Sequence, residues 1–356
     1  MYSIHLTAPF QLESGEQIEN LEIGFHIYGK LNPAKDNVIW VCHALTANSD
    51  VLSWWEGLFG EGKRFDPNEH FIVCVNSLGS CYGSTGPKSP GFNKRPLLDQ
   101  FPFITTRDMA RVNDELRIIL GIDKIALLIG ASLGGQQAIE WSILNPETHE
   151  KVAFIATNAR HSAYGIAFNE SQRLAIFSDA SYGNGRIEGG RQGLIAARSI
   201  AMLSYRTYES YSKTQTNPGN HKVEEFLASS YQNYQGQKLA DRFCAYSYVT
   251  LSRAMDAHNA GRDRESIEQA LGLISAKVLV IGITSDRLFP LEEQQFLAKH
   301  IPNASYSEIQ SEYGHDGFLI ETEQLEIVLS KFLTDQAPAN YSIIIQNNQT
   351  QFKLAK

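Results

Sequence analysis

The chain has 356 residues, of which 43% are hydrophobic and 20% are charged, and its formal net charge is −8. These values are typical of a globular enzyme with a large core, and the acidic excess argues against nucleic acid or an anionic membrane as a partner. The N-terminus has no signal-peptide pattern and no run could span a bilayer, so we expect a cytoplasmic protein. The four cysteines lack disulfide or metal-binding spacing, so we expect reduced thiols and no metal site.

The predicted elements begin with short alternating segments in the first 35 residues, such as 22–28, which indicate an antiparallel edge of a sheet. Five continuous apolar runs then predict strands that are covered on both faces. They lie at 38–42, 71–75, 125–129, 152–156 and 278–283. A helix is predicted at 107–120, where Met109, Val112 and Leu116 share one stripe. Alternating strands and helices of this kind form a mostly parallel, doubly wound sheet.

The interval 160–270 interrupts the alternation of strands and helices. We predict that it is a helical cap over the strand ends, with helices at 166–175, 193–204 and 223–230. The flanking segments 1–159 and 271–335 are predicted to form one core domain, with a terminal helix at 316–333. The tail at 336–356 is a strand or a disordered segment, and its sequence indicates no function.

Residues 130–134 read G-A-S-L-G, directly after the predicted strand at 125–129 and before a helical pattern. A buried strand that ends in G-x-S-x-G and opens into a helix is the nucleophile elbow of the α/β-hydrolase fold. The glycines permit a turn that is too tight for side chains, and the turn projects Ser132 into a cleft. The sequence therefore predicts an α/β-hydrolase fold with an inserted helical cap and Ser132 as the nucleophile.

Asp286 and His315 are the predicted partners of this serine, because a serine hydroxyl needs a general base and the base needs an orienting acid. The α/β-hydrolase fold has these residues in the chain order serine, acid, histidine. Asp286 lies just past the strand at 278–283, and His315 lies in a glycine-flanked loop before the terminal helix. Taken singly, Asp286 could be a turn or capping residue and His315 an ordinary loop histidine. The order of all three favours a catalytic triad.

The backbone N–H groups of Leu45 and Leu133 are the predicted donors of an oxyanion hole. Leu133 follows the serine at a helix N-terminus, where the helix dipole favours negative charge. Leu45, or a residue beside it, lies in the loop after the strand at 38–42, which supplies the second donor in this fold. We interpret His43, in the same loop, as a structural residue without a chemical role.

From about residue 10 to 333, the sequence resembles the homoserine O-acyltransferases of methionine biosynthesis. The matching strings are CHALT at 42–46, WWEGLFG at 54–60, CYGSTGP at 81–87, ITTRDM at 104–109, IAFNESQR at 166–173, TSD at 284–286 and YGHD at 313–316. The chain departs from the family at Ala131 and Leu133, where glycine and methionine are frequent, and at Cys244 in the cap. The first departure leaves the backbone donor of the elbow in place, and the second concerns only the cap.

The resemblance implies a ping-pong reaction, in which the serine takes an acyl group from acyl-CoA and passes it to the hydroxyl of homoserine. It also implies that Arg198 binds the substrate carboxylate and Asp316 its amino group, and a fixed cation and anion suit a zwitterionic amino acid. Without the resemblance, Arg198 is better interpreted as a solvated helix charge and Asp316 as a helix cap. In the reaction that the resemblance implies, CoA is a substrate and no cofactor is expected. The resemblance also implies a homodimer built through the cap.

The acyl donor follows from one local feature. The family uses acetyl and succinyl donors, and segment 47–52 carries the anion Asp50 and no cation. An anion there would repel a succinyl carboxylate, so we predict transfer from acetyl-CoA to L-homoserine. The alternatives are succinyl transfer, transfer to L-serine, since one methylene is worth only about 1–3 kcal/mol, and ester hydrolysis. A non-catalytic binding protein is disfavoured because it would need no intact triad.

Overall fold

A computed structural model describes residues 1–91 and 93–334 of the protein. In this part of the chain, ten strands form a main sheet of eight and a separate two-stranded hairpin. The strands are β1 (Tyr2–His5), β2 (Phe10–Gln11), β3 (Gln17–Ile18), β4 (Glu22–Tyr28), β5 (Val38–Cys42), β6 (Phe71–Val75), β7 (Ile125–Ala131), β8 (His149–Ile155), β9 (Lys277–Ile283) and β10 (Ala304–Ile309).

The main sheet has the order β1-β4-β6-β5-β7-β8-β9-β10. The six strands from β6 to β10 in this order pair in parallel. β4 pairs antiparallel with both β6 and β1, so the antiparallel edge predicted for the first residues is confirmed. The parallel part needs long crossover connections, which the helices provide.

The helices that flank and cap this sheet have the following bounds. They are α1 (Val51–Trp54), α2 (Thr106–Ile119), α3 (Leu133–Leu144), α4 (Ala163–Phe177), α5 (Arg191–Tyr205), α6 (Tyr208–Gln215), α7 (Leu227–Ala240), α8 (Ala245–Asp256), α9 (Ile267–Gly272), α10 (Leu291–His300), α11 (Gly317–Ile320) and α12 (Thr322–Leu333). The predicted helix at 107–120 is α2. A capping box starts it, because Thr105 and Asp108 each accept a hydrogen bond from the other's backbone N–H.

Two apolar layers cover the faces of the sheet, and β5 shows why its sequence is apolar throughout. Val38, Trp40 and Cys42 belong to one buried cluster, whereas Ile39 and Val41 belong to the other. Successive side chains of a strand point to opposite faces, so a strand with helices on both sides has no solvent-facing position. The four other predicted central strands also overlap observed strands.

Six helices, α4 to α9, fill the interval between β8 and β9. The predicted helices at 166–175 and 193–204 are confirmed as parts of α4 and α5. The helix predicted at 223–230 overlaps α7 only over residues 227–230, because α7 begins at Leu227 and continues to Ala240. α7 packs on α5 through Gly236, where a Cβ would lie 2.7 Å from the Ile195 carbonyl oxygen. A contact made by a glycine leaves no apolar stripe for a sequence pattern to show.

Three further expectations differ from the structure at element ends. The strand predicted at 152–156 starts three residues earlier at His149 and ends at Ile155, because Ala156 has a positive φ of 46°. The single terminal helix predicted at 316–333 is divided into α11 and α12 at Glu321. The sequence also gave no indication of β10, a partly buried edge strand without a continuous apolar run. The domain boundaries remain predictions, and the tail at 336–356 lies outside the described residues.

The described residues contain no helix that is long and apolar enough to cross a membrane. Within the same residues, no group of three or more His, Cys, Asp or Glu side chains is placed to hold a metal ion. The four cysteines are free thiols, and three of them are buried.

Candidate active site

The nucleophile elbow connects β7 to α3 and holds Ser132 in a strained conformation, with φ 56° and ψ −126°. A non-glycine residue rarely adopts such angles, and functional sites are where they persist. The turn closes tightly, because a Cβ on Gly130 would lie 2.3 Å from the Gly134 carbonyl oxygen. A Cβ on Gly134 would lie 1.9 Å from the Cys42 carbonyl oxygen. The two motif glycines are therefore required by backbone contacts, as the sequence predicted.

The structure brings the three predicted triad residues together. The Ser132 hydroxyl lies 2.9 Å from His315 Nε2, and His315 Nδ1 lies 2.7 Å from Asp286 Oδ2. The other Asp286 oxygen accepts backbone hydrogen bonds from Leu288 and Phe289 at 2.8 and 2.9 Å. The turn-forming role considered for Asp286 and its role toward the histidine thus use different oxygens. All three side chains are nearly inaccessible, with residue exposures of 4–5%.

Aromatic rings enclose the imidazole of His315. Phe289 stacks on it with ring centroids 5.0 Å apart. Phe318 lies edge-on at 5.4 Å, and the tilted ring of Tyr205 lies at 5.7 Å. Because an ionised carboxylate only accepts hydrogen bonds, Asp286 fixes the histidine proton on Nδ1. Nε2 is then free to accept the proton of Ser132, which is the arrangement that a general base requires.

The two predicted oxyanion donors belong to the elbow and to the loop that follows β5. Leu133 is the first residue of α3, so its N–H has no acceptor within the helix. The loop with Leu45 is held by His43, whose Nδ1 lies 2.8 Å from the Ala44 carbonyl oxygen and whose Nε2 accepts from Ser77 N–H at 2.9 Å. Burial lowers the pKa of His43 to about 4. His43 is therefore a neutral residue that holds the loop, in agreement with its structural interpretation.

A cap residue that the sequence analysis did not identify also holds this loop. The Arg242 guanidinium donates to the Thr46 carbonyl oxygen at 2.5 Å and to the Tyr82 hydroxyl at 2.6 Å. Arg242 precedes α8, so the cap and the predicted oxyanion loop are joined directly. No sequence pattern indicates this contact, because its partners are 196 and 160 residues away.

The predicted substrate-binding residues lie on the cap side of His315. Arg198 projects from α5, with its guanidinium 5.2 Å from the centre of the Tyr205 ring. Among the described residues, no carboxylate forms an ion pair with it. Asp316 instead pairs with Arg206, whose Nε donates to Oδ2 at 2.7 Å. Asp316 occupies the N-cap position of α11, but its side chain makes no capping hydrogen bond to that helix. Arg206 was missed because only the folded cap brings it to the histidine loop.

A cavity of about 290 Å³ opens beside the Arg206–Asp316 pair. It lies between the cap and the loops that carry Asp286 and His315. Its lining residues are Tyr164, Leu203, Ser204, Arg206, Thr207, Tyr208, Tyr211, Ser285, Arg287 and Gly314. Space, aromatic surface and guanidinium groups are therefore present next to the triad.

A polar cluster lies behind the triad on the side of α10. The Asn158 amide donates to Glu293 at 2.9 Å and accepts from Gln136 at 2.9 Å. Burial raises the pKa of the Glu293 carboxyl to about 7, a rise that the Asn158 hydrogen bond opposes and nearby Asp286 increases. Glu293 is thus protonated between pH 4.5 and about 7, where a free glutamate is ionised.

The fold and the Ser132–His315–Asp286 arrangement define an α/β hydrolase with a serine nucleophile. The profile of the alpha/beta hydrolase fold matches residues 37–322. The structure superimposes on that of esterase E22 with a TM-score of 0.84 and 24% identity, covering 93% of this chain and 99% of the other. The chain belongs to the α/β-hydrolase family.

Two further comparisons narrow this assignment. The homoserine O-acetyltransferase of Cyclobacterium marinum is 50% identical over 322 residues, which cover 90% of this chain and 92% of that protein. The structure of the homoserine O-acetyltransferase from Staphylococcus aureus matches with a TM-score of 0.78 and 30% identity, covering 98% of this chain and 97% of the other. Within the α/β hydrolases, this chain belongs to the homoserine O-acetyltransferase family.

Proposed function

We propose that this protein transfers the acetyl group of acetyl-CoA to the hydroxyl of L-homoserine, a step of methionine biosynthesis, through an acetyl-Ser132 intermediate. The observation that carries this proposal is the alignment of Ser132, His315 and Asp286 at hydrogen-bond distances. The names of closely similar relatives identify acetyl as the transferred group and homoserine as the acceptor. Acetyl-CoA acts as a substrate in this reaction, and no bound cofactor is invoked.

In the first half-reaction, His315 Nε2 takes the hydroxyl proton of Ser132 as the oxygen attacks the thioester carbonyl. Asp286 stabilises the imidazolium that forms, and the N–H groups of Leu133 and Leu45 bind the developing oxyanion. The imidazolium then gives its proton to the departing CoA thiolate. Because the site is nearly closed to water, its low dielectric strengthens each of these electrostatic interactions.

In the second half-reaction, homoserine takes the place of CoA. Its hydroxyl gives a proton to His315 and attacks the acetyl-serine, and the proton returns to Ser132 as the ester leaves. We assign the acceptor carboxylate to Arg198, whose guanidinium has no carboxylate partner among the described residues, and the acceptor ammonium to Asp316. One Asp316 oxygen accepts a hydrogen bond from Arg206, so this ion pair would also orient the Asp316 carboxylate.

Acetyl-CoA is preferred over succinyl-CoA on two grounds. The curated relatives at 43–50% identity are acetyltransferases by name. Asp50, the one charge in segment 47–52, accepts a hydrogen bond from the Tyr28 hydroxyl at 2.5 Å, and no salt bridge joins it to a cation among the described residues. Comparing kcat/KM for the two donors tests the choice, and a succinyl preference above about tenfold, or roughly 1.4 kcal/mol, would reverse it.

The proposal includes assembly and location. We propose a cytoplasmic homodimer in which the cap helices of two copies pack together. Large apolar side chains on three cap helices support this arrangement, since Leu174 on α4, Leu203 on α5 and Tyr234 on α7 are 58–59% exposed. Exposed apolar side chains of this size favour association where they form a continuous patch. Sedimentation velocity tests the dimer, and a monomer at micromolar concentration would contradict it.

Hydrolysis is the second candidate function, because esterase E22 shares this fold. Thiol release from acetyl-CoA distinguishes the two. Transfer predicts release that depends on homoserine and produces O-acetylhomoserine, whereas hydrolysis predicts the same rate without homoserine. Rapid quench followed by peptide mass spectrometry should place a labelled acetyl group on Ser132. Ser132→Ala should lose at least about 10³ in kcat, and unchanged turnover would remove the serine from the mechanism.

A further inference from the structure

The carbonyl oxygen of Ser132 receives a hydrogen bond that helix geometry does not require. The N–H of Gln136 donates to it at 3.1 Å, as in any helix. In addition, the Thr157 hydroxyl donates to the same oxygen at 2.9 Å. Thr157 follows β8, has no exposed surface and lies outside every motif that the sequence analysis identified. Its side chain therefore approaches the nucleophile from a neighbouring strand end.

Two other contacts hold Thr157 in this place. Its own carbonyl oxygen accepts from the Gln294 side-chain amide at 2.7 Å, and Gln294 is fully buried. Its side chain fills the space beside Gly135, where a Cβ would lie only 2.5 Å from Thr157 Cβ. A buried amide and a glycine thus maintain the position of one hydroxyl.

The Thr157 hydroxyl matters because it bonds the peptide group between Ser132 and Leu133. The group is planar and trans, as is every peptide bond among the described residues, so its C=O and N–H point in opposite directions. Fixing the direction of the Ser132 carbonyl therefore fixes the direction of the Leu133 N–H. Donation to the carbonyl also polarises the N–H and strengthens it as a donor.

We propose that Thr157 is a positioning residue that aims the Leu133 N–H at the oxyanion formed on Ser132. Thr157 touches neither substrate nor the reacting atoms. It acts on the peptide that follows a serine with φ 56° and ψ −126°, where backbone strain would otherwise favour rotation of this peptide. The inference rests on the proposed function only in requiring that Ser132 is acylated.

Thr157→Val removes the hydroxyl at nearly constant volume and leaves the Ser132 carbonyl with its Gln136 donor. We expect kcat to fall about 10- to 100-fold with KM changed less than twofold, since loss of a whole oxyanion donor costs about 10²- to 10³-fold. Thr157→Ser keeps the hydroxyl and should retain kcat within about threefold. If Thr157 only filled space, Thr157→Ser would be at least as impaired as Thr157→Val, because serine loses the methyl group that packs beside Gly135.

The test uses the full-length protein, with active sites counted by fluorophosphonate titration so that unfolded protein does not enter the rate. The burst of p-nitrophenol from p-nitrophenyl acetate reports acylation without homoserine, so its result is independent of whether homoserine is the acceptor. Phenylboronic acid, which places a tetrahedral oxygen in the oxyanion hole, should bind Thr157→Val about tenfold more weakly. The proposal is overturned if Thr157→Val acylates within twofold of the wild type, or if Thr157→Ser is as slow as Thr157→Val.

Discussion

Gly134→Ala tests whether the elbow glycine is required by a backbone contact or only by local flexibility. The added Cβ would lie 1.9 Å from the Cys42 carbonyl oxygen and 2.6 Å from its carbon. An ordinary carbon–oxygen contact is about 3.3 Å, so one element must move by roughly 1.4 Å. Cys42 is paired with Val75 on one side and Gly130 on the other. Because these pairings hold Cys42 in the sheet, α3 must move away from the sheet to relieve the contact.

The cost of this movement has a structural and a catalytic part. Overpacking a well-packed interior costs typically 1–3 kcal/mol, and a contact with backbone atoms on both sides belongs at the upper end. For a chain of 356 residues, an unfolding entropy of about 2.1 cal/mol/K per residue gives about 1.3 °C per kcal/mol, so the melting temperature should fall by roughly 4 °C. The movement also separates the Leu133 donor from the loop that carries Leu45. A misplacement of about 1 Å can cost 10²-fold in rate, so kcat per active site should fall about 100-fold.

Gly272→Ala is the matched control, because a Cβ at this helical position has no atom within 4 Å. Replacing a helical glycine with alanine should leave kcat unchanged and stabilise the protein by at most about 1 kcal/mol. Thermal unfolding by circular dichroism and steady-state transfer rates measure both variants. The reasoning is refuted if Gly134→Ala melts with the wild type and keeps its kcat within twofold.

Two further variants probe the surroundings of the triad. Burial raises the pKa of Glu293 from 4.5 to about 7. Between these pH values the folded protein holds a proton that the unfolded chain releases. The resulting stabilisation is fully present below pH 4.5 and is lost as the pH rises through 7. Glu293→Gln should therefore melt above the wild type at pH 8 and lose this advantage at pH 5; a pH-independent difference would contradict the assignment. Arg198→Lys keeps the charge without the two-pronged grip, so KM for homoserine should rise about tenfold while the p-nitrophenyl acetate burst stays unchanged. An unchanged KM would remove Arg198 from the acceptor site.

The triad was predictable because each member is fixed by a local signal and by chain order. Ser132 has its elbow, Asp286 follows a buried strand and His315 lies between glycines, and the fold dictates their sequence order. The roles of Arg206 and Arg242 were not predictable, since each acts on a loop that only cap folding brings near. A partner more than a hundred residues away leaves no trace in spacing or periodicity.

The same distinction applies to secondary structure. β5 was found at its observed bounds because burial on both faces makes every residue apolar. β10 was missed because an edge strand is only partly buried and mixes serine, tyrosine and glutamate with its apolar positions. α7 was misplaced because its contact with α5 depends on Gly236. Sequence patterns indicate which side chains are buried. They therefore miss elements that pack through their backbone or lie at the edge of a sheet.

Transfer and hydrolysis pass through the same acyl-serine, so the triad does not determine which acceptor receives the acetyl group. The choice lies in how the second substrate is held, because water is always the more abundant acceptor. A bound and oriented hydroxyl gains an effective concentration of about 10⁵–10⁸ M over a free one, which is sufficient to outcompete water. In this chain we propose that Arg198, on the cap side, provides that orientation. Arg198 lies over Tyr205, and Tyr205 lies 5.7 Å from His315. We therefore expect the acceptor contacts made from α5, and not the cap as such, to favour transfer over hydrolysis, since esterase E22 superimposes over 93% of this chain.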